Sequence, residues 1–249
     1  MRILKNKRGE LTTAQIVVLT VLIVSFAVIL IFIFYLNLGE TTDEQICHNS
    51  VVLSERGGGF IGKLNCKTNE VCISGGDDCS GLTNPVNIKV DASDKDQILE
   101  AIAKKMADCW WMFGEGNPNY YESWSGGHCG ICTSLEFDRN VYSRVSMTYG
   151  ELYYYLYITP KDEEQTYFDY LFGDYEGKGV TDPNSFEKEF EFDMSSSLDL
   201  SKRFVILTGF NKGNIAYNYG TGHIPVYFIP PSEIDSRAEL CEEFDLTKA

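Results

Sequence analysis

The stretch Ile16–Leu36, IVVLTVLIVSFAVILIFIFYL, decides the architecture of this chain: 21 consecutive residues carry no charge, proline or glycine, and only Thr20, Ser25 and Tyr35 interrupt the apolar run. At about 1.5 Å rise per residue such a helix spans a hydrocarbon core of about 30 Å. The reading predicts a transmembrane helix over residues 14–38 that meets the lipid bilayer through Ile16 to Leu36. A secretory signal peptide has a shorter apolar region, about 7–15 residues, closed by a small-x-small cleavage site. Asn37-Leu38-Gly39-Glu40-Thr41 offers no such site, so an uncleaved anchor is expected.

The flanks orient the helix. Arg2, Lys5, Lys7 and Arg8 lie in the basic segment 1–13, whereas Glu40, Asp43 and Glu44 follow the apolar run. Retention of positive charge on the cytoplasmic side predicts a cytoplasmic N-terminus and an extracytoplasmic C-terminal domain at the cell membrane. Residues 38–249 hold 17 Lys and Arg against 35 Asp and Glu, a formal charge of −18 within a whole-chain value of −15. That excess repels phosphate backbones and anionic headgroups, so nucleic acid is not an expected partner. Hydrophobic residues make up 44% of the chain and aromatic residues 13%, enough for a packed core and against wholesale disorder.

Lys7-Arg8-Gly9-Glu10, running directly into the apolar segment, resembles the class III signal of type IV pilin-like proteins. The resemblance covers about the first 36 residues. It implies cleavage after Gly9 and a retained helix packed in a filament core. The Glu that the bacterial pattern places five residues after the cut would fall at Ala14, a departure from it. The other reading of these residues is that the basic stretch only fixes topology. The layout as a whole is similar to archaeal single-span surface proteins.

Eight cysteines fall into two even groups: Cys47, Cys66, Cys72 and Cys79, then Cys109, Cys129, Cys132 and Cys241. An even count outside the membrane argues for disulfides, with several connectivities open within each group. The first group lacks the close paired spacing of a four-cysteine zinc site. In the second, His128-Cys129-Gly130-Ile131-Cys132 carries a C-x-x-C, in which Cys129 would act as nucleophile, Cys132 as resolving thiol and His128 as modulator of the thiol pKa. With Gly222-His223-Ile224-Pro225-Val226 it resembles the active-site and cis-proline loops of thioredoxin-like proteins. That family follows its motif with a long helix, whereas Thr133 to Asp138 alternates like a strand. The structural reading has one cysteine of the pair bonded to Cys109 and the other to Cys241. A third reading places a metal among His128, Cys129, Cys132 and either Cys109 or His223. No metal and no cofactor is assigned.

Residues 39–84 read as a polar stalk and a small disulfide-rich β module, with Val51–Leu53 and Phe60–Leu64 as short strands flanking Gly57-Gly58-Gly59. The acidic turn Gly75 to Gly81 reads as a calcium loop or a solvated turn. Residues 85–249 read as the main domain. There, Pro85 to Asp91 alternates as a half-buried strand. Ser93-Asp94-Lys95-Asp96 resembles a capping box, and Ile98, Ile102, Met106, Cys109 and Phe113 recur at helical spacing. The loop Gly114–Gly130 is rich in Gly, Tyr, Ser and Trp, and Tyr120, Tyr121, Trp124 and His128 are the candidate binding surface. Thr148 to Glu151 reads as a capping box opening a helix, with a strand to Ile158 as the alternative. A helix from Asp162 to Gly173, a strand through Phe190 and Phe192, and strands at Arg203–Thr208 and Pro225–Ile229 complete the domain, with a short acidic helix carrying Cys241. The expected class is α+β with a mostly antiparallel sheet. No Gly-rich phosphate loop, Gly-x-Ser-x-Gly or His-Glu-x-x-His occurs. The expected function is therefore a non-enzymatic surface protein that binds an extracytoplasmic macromolecule or builds the envelope, with a tethered thiol-disulfide oxidoreductase and a pilin-like subunit as alternatives.

Overall fold

A computed structural model of the chain describes residues 13–35, 42–56, 64–116, 126–173, 181–190, 193–212, 223–234 and 241. Two compact units result, Met1–Thr42 and Asp43–Ala249. The first contains α1 (Thr13–Tyr35), whose side chains from 14 to 31 are all exposed. It is long and apolar enough to cross a membrane. The Thr20 hydroxyl donates to the Ile16 carbonyl at 2.8 Å and that of Ser25 to Leu22 at 2.9 Å. This back-bonding satisfies both hydroxyl protons inside the helix.

In chain order the second unit holds α2 (Asp43–Arg56), β1 (Asn69–Ser74), β2 (Val86–Lys89), α3 (Lys95–Met112), β3 (Gly126–Phe137), α4 (Arg139–Tyr142), β4 (Met147–Thr148), α5 (Tyr149–Ile158), α6 (Tyr167–Phe172), α7 (Pro183–Phe190), β5 (Ser197–Leu198), β6 (Phe204–Lys212) and β7 (His223–Ile229). Five strands form one sheet in the order β2-β1-β3-β6-β7, and β4 pairs with β5. The large sheet is mixed, so the expected mostly antiparallel arrangement holds for only part of it. β1 runs parallel to both β2 and β3, while β6 runs antiparallel to both β3 and β7. Parallel neighbours are usual for a strand covered on both faces, and β1 is buried from Val71 to Ser74. The strand lies inside the sheet, between β2 and β3.

α3 lies against β3, β6 and β7 on one side and against α2, α5 and α6 on others. Ile98, Ile102, Met106 and Cys109 are each fully buried, as their spacing predicts. Its cap is Asp94, whose carboxylate accepts from the Gln97 amide at 3.2 Å. Ser93 is turned instead to Asp91, which corrects the expected box by one residue. The box at α5 forms as read: the Glu151 amide donates to Thr148 Oγ1 at 3.2 Å, and the Thr148 amide donates to the Glu151 carboxylate at 2.8 Å. α6 opens on a second box, Thr166 with Asp169, and the residues from Asp162 to Gln165 form a turn ahead of it. Tyr153, Phe168, Phe172 and Phe186 pack their rings together between α5, α6 and α7.

Two segments read as strands are helical. Val51 and Leu53 belong to α2, where Asp43 and Glu44 complement the N-terminal partial charge and the buried residues Cys47, Val51 and Ser54 recur at helical spacing. The rest of the expected hairpin, 57–63, lies outside the described residues. Phe190 ends α7, which starts at Pro183 behind the capping carboxylate of Asp182 and buries Phe186. Phe192 lies outside the described residues. β2 is less covered than expected, with Val86 62% exposed.

Candidate functional site

The C-x-x-C lies within β3, and the strand begins earlier than expected, at Gly126. Pairing with β6 passes from Ile131↔Leu207 to Thr133↔Ile206, which leaves Cys132 as the extra residue of a β-bulge. A bulge bends the strand and re-aims its side chain, and here Cys132 bonds Cys109 of α3. Cys129 bonds Cys241, so the two cysteines of the motif serve different bridges. Both are 0% exposed. Gly209 of β6 lies opposite Cys129, and a Cβ there would collide with the His128 carbonyl and the Cys129 Cα. The remaining bridges are Cys47–Cys66 and Cys72–Cys79.

His128 is half-buried in β3 beside Phe210, and His223 pairs with Phe210 from the other side. With every cysteine in a disulfide, the proposed metal set has lost its thiolates, and no group of three metal-ligating side chains occurs among the described residues. Pro225 lies at a register shift in the edge strand β7, and no cis peptide bond occurs among the described residues, unlike a thioredoxin-like proline loop. Tyr120, Tyr121 and Trp124 lie outside the described residues. The acidic turn at Gly75 is organised by Asp138 rather than by its own carboxylates. Asp138 Oδ2 accepts from the Asp77 amide at 2.7 Å and the Gly75 amide at 2.9 Å, and the Ser74 hydroxyl, which donates to the Asp77 carbonyl at 2.6 Å, lies 3.2 Å from it.

Tyrosine chemistry at α5 and α6 is held off its ionised form. Burial, with Glu115 accepting from the hydroxyl at 2.6 Å, pushes the Tyr170 phenol far above its ordinary value. Lys161 lies over the Tyr170 ring, 4.0 Å from its centroid. Burial likewise raises the phenols of Tyr155 and Tyr167. Near α2, His48 stacks on Trp111 at 4.0 Å and donates from Nδ1 to its carbonyl at 2.7 Å.

The accessible feature that sequence reading missed is a groove of about 450 Å³ between β2 and the outer side of α3. The helix lines it with Gln97, Glu100, Lys104 and Asp108, residues at successive three- and four-residue spacings on its one solvent-reached stripe. Ile88 and Val90 line it from the strand side. Lys104 pairs with Glu100 at 2.6 Å and Lys105 with Asp108 at 2.7 Å, while Lys89 makes no ion pair among the described residues. The alternation Val86, Ile88, Val90 did signal a strand here, but an edge exists only once the strand order is known.

Comparison with known proteins returned no matching family model, no matching curated protein and no matching solved structure.

Proposed function

We propose that this chain is a single-pass membrane protein whose acidic, disulfide-braced domain lies outside the cytoplasm and works by binding another macromolecule rather than by catalysis. The observation that carries this reading is the pairing of two features in separate units: an apolar helix exposed on every side, and a domain in which all eight cysteines are bridged. A helix that is apolar all round needs an apolar solvent, and disulfides persist in oxidising compartments. Further support comes from where the reactive side chains go. The C-x-x-C sulfurs are buried in two structural bridges, the tyrosine phenols are pushed away from ionisation, and Asp94, Asp138 and Glu151 cap helices. The groove along β2 supports a binding role.

Limited proteolysis of intact cells expressing the chain with a C-terminal tag tests the placement. External protease removes the tag and leaves a membrane-protected fragment containing α1. A tag protected until the cells are lysed overturns the reading.

A further inference from the structure

β2 ends the sheet on one side, and its backbone shows how far that edge is open. The Val90 amide donates to the Ser74 carbonyl of β1 at 2.9 Å, in register with the parallel pairing Ser74↔Lys89. In a parallel ladder alternate residues direct both backbone groups to the same neighbour. Val86, Ile88 and Val90 therefore face β1, and the amides and carbonyls of Asn87 and Lys89 face outward.

Both ends of this outward row are closed. On the N-terminal side Pro85 has no amide to offer. On the C-terminal side the Asp91 amide, next in the outward series, donates to Gln97 Oε1 at 2.9 Å. Gln97 is held in turn by Asp94, which accepts from its Nε2 at 2.9 Å. The side-chain carbonyl of Gln97 thus stands where the backbone carbonyl of a sixth strand would stand. The groove beside Ile88 is the space that the inward side chains of such a strand would enter.

Its charge identifies the occupant. Lys104 pairs with Glu100 and Lys105 with Asp108 and Glu44, which leaves Lys89 as the lining cation whose charge is open to a ligand. Lys89 has no carboxylate partner among the described residues, and Lys on an exposed edge also discourages pairing with a second copy of the same edge.

We infer that β2 is a strand-addition site that takes an extended segment of a partner protein, with alternating apolar and acidic side chains, alongside Asn87 and Lys89. The backbone groups of those two residues supply the ladder, Ile88 and Ala101 receive apolar side chains, and Lys89 receives a carboxylate. The inference rests on the binding role proposed above but not on membrane placement, so the proteolysis result and the experiment below fail independently.

The test uses the full chain in neutral detergent micelles and two fluorescein-labelled, end-capped heptapeptides, one alternating Val with Glu and the other Val with Lys. Fluorescence anisotropy is expected to show saturable binding of the Val/Glu peptide, at least tenfold tighter than the Val/Lys peptide and weakened by salt. Asn87→Pro removes an outward amide and leaves the β1 ladder intact, so it is expected to weaken binding at least tenfold. Lys89→Glu folds without any backbone change and is expected to reverse the preference between the two peptides. Equal binding of both peptides, no binding, or indifference to both substitutions overturns the inference. So does a concentration-dependent dimer that Asn87→Pro abolishes, because the edge would then belong to a second copy of the chain.

Discussion

Replacing Asp138 by Ala tests whether one buried carboxylate organises the turn between β1 and β2. Asp138 is 1% exposed. Its Oδ2 accepts from the Asp77 and Gly75 amides, and its Oδ1 accepts from the Val141 amide at 2.9 Å as the cap of α4. The Ser74 hydroxyl also reaches Oδ2 but donates to the Asp77 carbonyl at 2.6 Å, so it keeps a partner in the variant. Three amides then lose their acceptor. A buried donor left without one costs about 1–3 kcal/mol. Asp77 is exposed and Gly75 half-exposed, so water replaces part of those two bonds. The expected loss is about 3–5 kcal/mol, and about 2–3 kcal/mol for Asp138→Asn, which keeps one acceptor oxygen but turns an NH₂ toward donors. The assay is urea denaturation of the full chain in neutral detergent, disulfides intact, followed by near-ultraviolet circular dichroism. With a slope of about 2 kcal/mol per molar urea, the alanine variant unfolds about 1.5–2.5 M earlier. A shift below about 0.5 M, or an asparagine variant as unstable as the alanine one, refutes the reasoning.

Three further outcomes follow from the same structure. The Cys129–Cys241 bridge spans 112 residues and Cys72–Cys79 only 7, so chain entropy makes replacing the first pair by Ser cost about 2 kcal/mol more than replacing the second, read from calorimetric midpoints. Thr148→Ala removes half of the capping box of α5 and lowers stability by about 1 kcal/mol in the same urea assay, with Thr148→Ser near wild type. Asp162 is expected to titrate at about 2 by carboxyl NMR, held down chiefly by the Glu164 amide and then by Lys161. Because its folded-state value lies below the unfolded one, this stabilisation is present above about pH 4 and lost as pH falls towards 2.

Local signals carried far in the sequence. The period of α3 fixed its buried face, and Thr148 with Glu151 fixed the start of α5, because both depend on contacts three or four residues apart. Parity grouped the cysteines but did not pair them, since Cys132 reaches Cys109 through a bulge that only the strand register reveals. Val51–Leu53 and Phe190 misled because β-branched and aromatic residues favour strands intrinsically, whereas the packing of α2 on α3, and of Phe186 in α7 on Tyr153, decides for helix. The parallel pairing of β1 with β3 joins Asn69 to Thr133, a separation that no local pattern encodes. The candidate site was hidden for the same reason. Gln97 stands in the first turn of α3, and only the sheet order shows that the Asp91 amide it covers belongs to an outward row. Of the residues read as a binding surface, His128 lies in β3, and Tyr120, Tyr121 and Trp124 fall outside the described residues.

The most direct measurement of the central claim is thiol content in the membrane fraction. Cells expressing the full chain are lysed in alkylating agent, the membranes are washed with alkaline carbonate, and the chain is denatured in fresh alkylating agent without reductant before its intact mass is taken. An anchored, extracytoplasmic, fully bridged protein remains in the washed membranes and gains no alkyl group on any of its eight cysteines. A chain released by carbonate, or one that takes up alkyl groups at Cys129 and Cys132, contradicts the account.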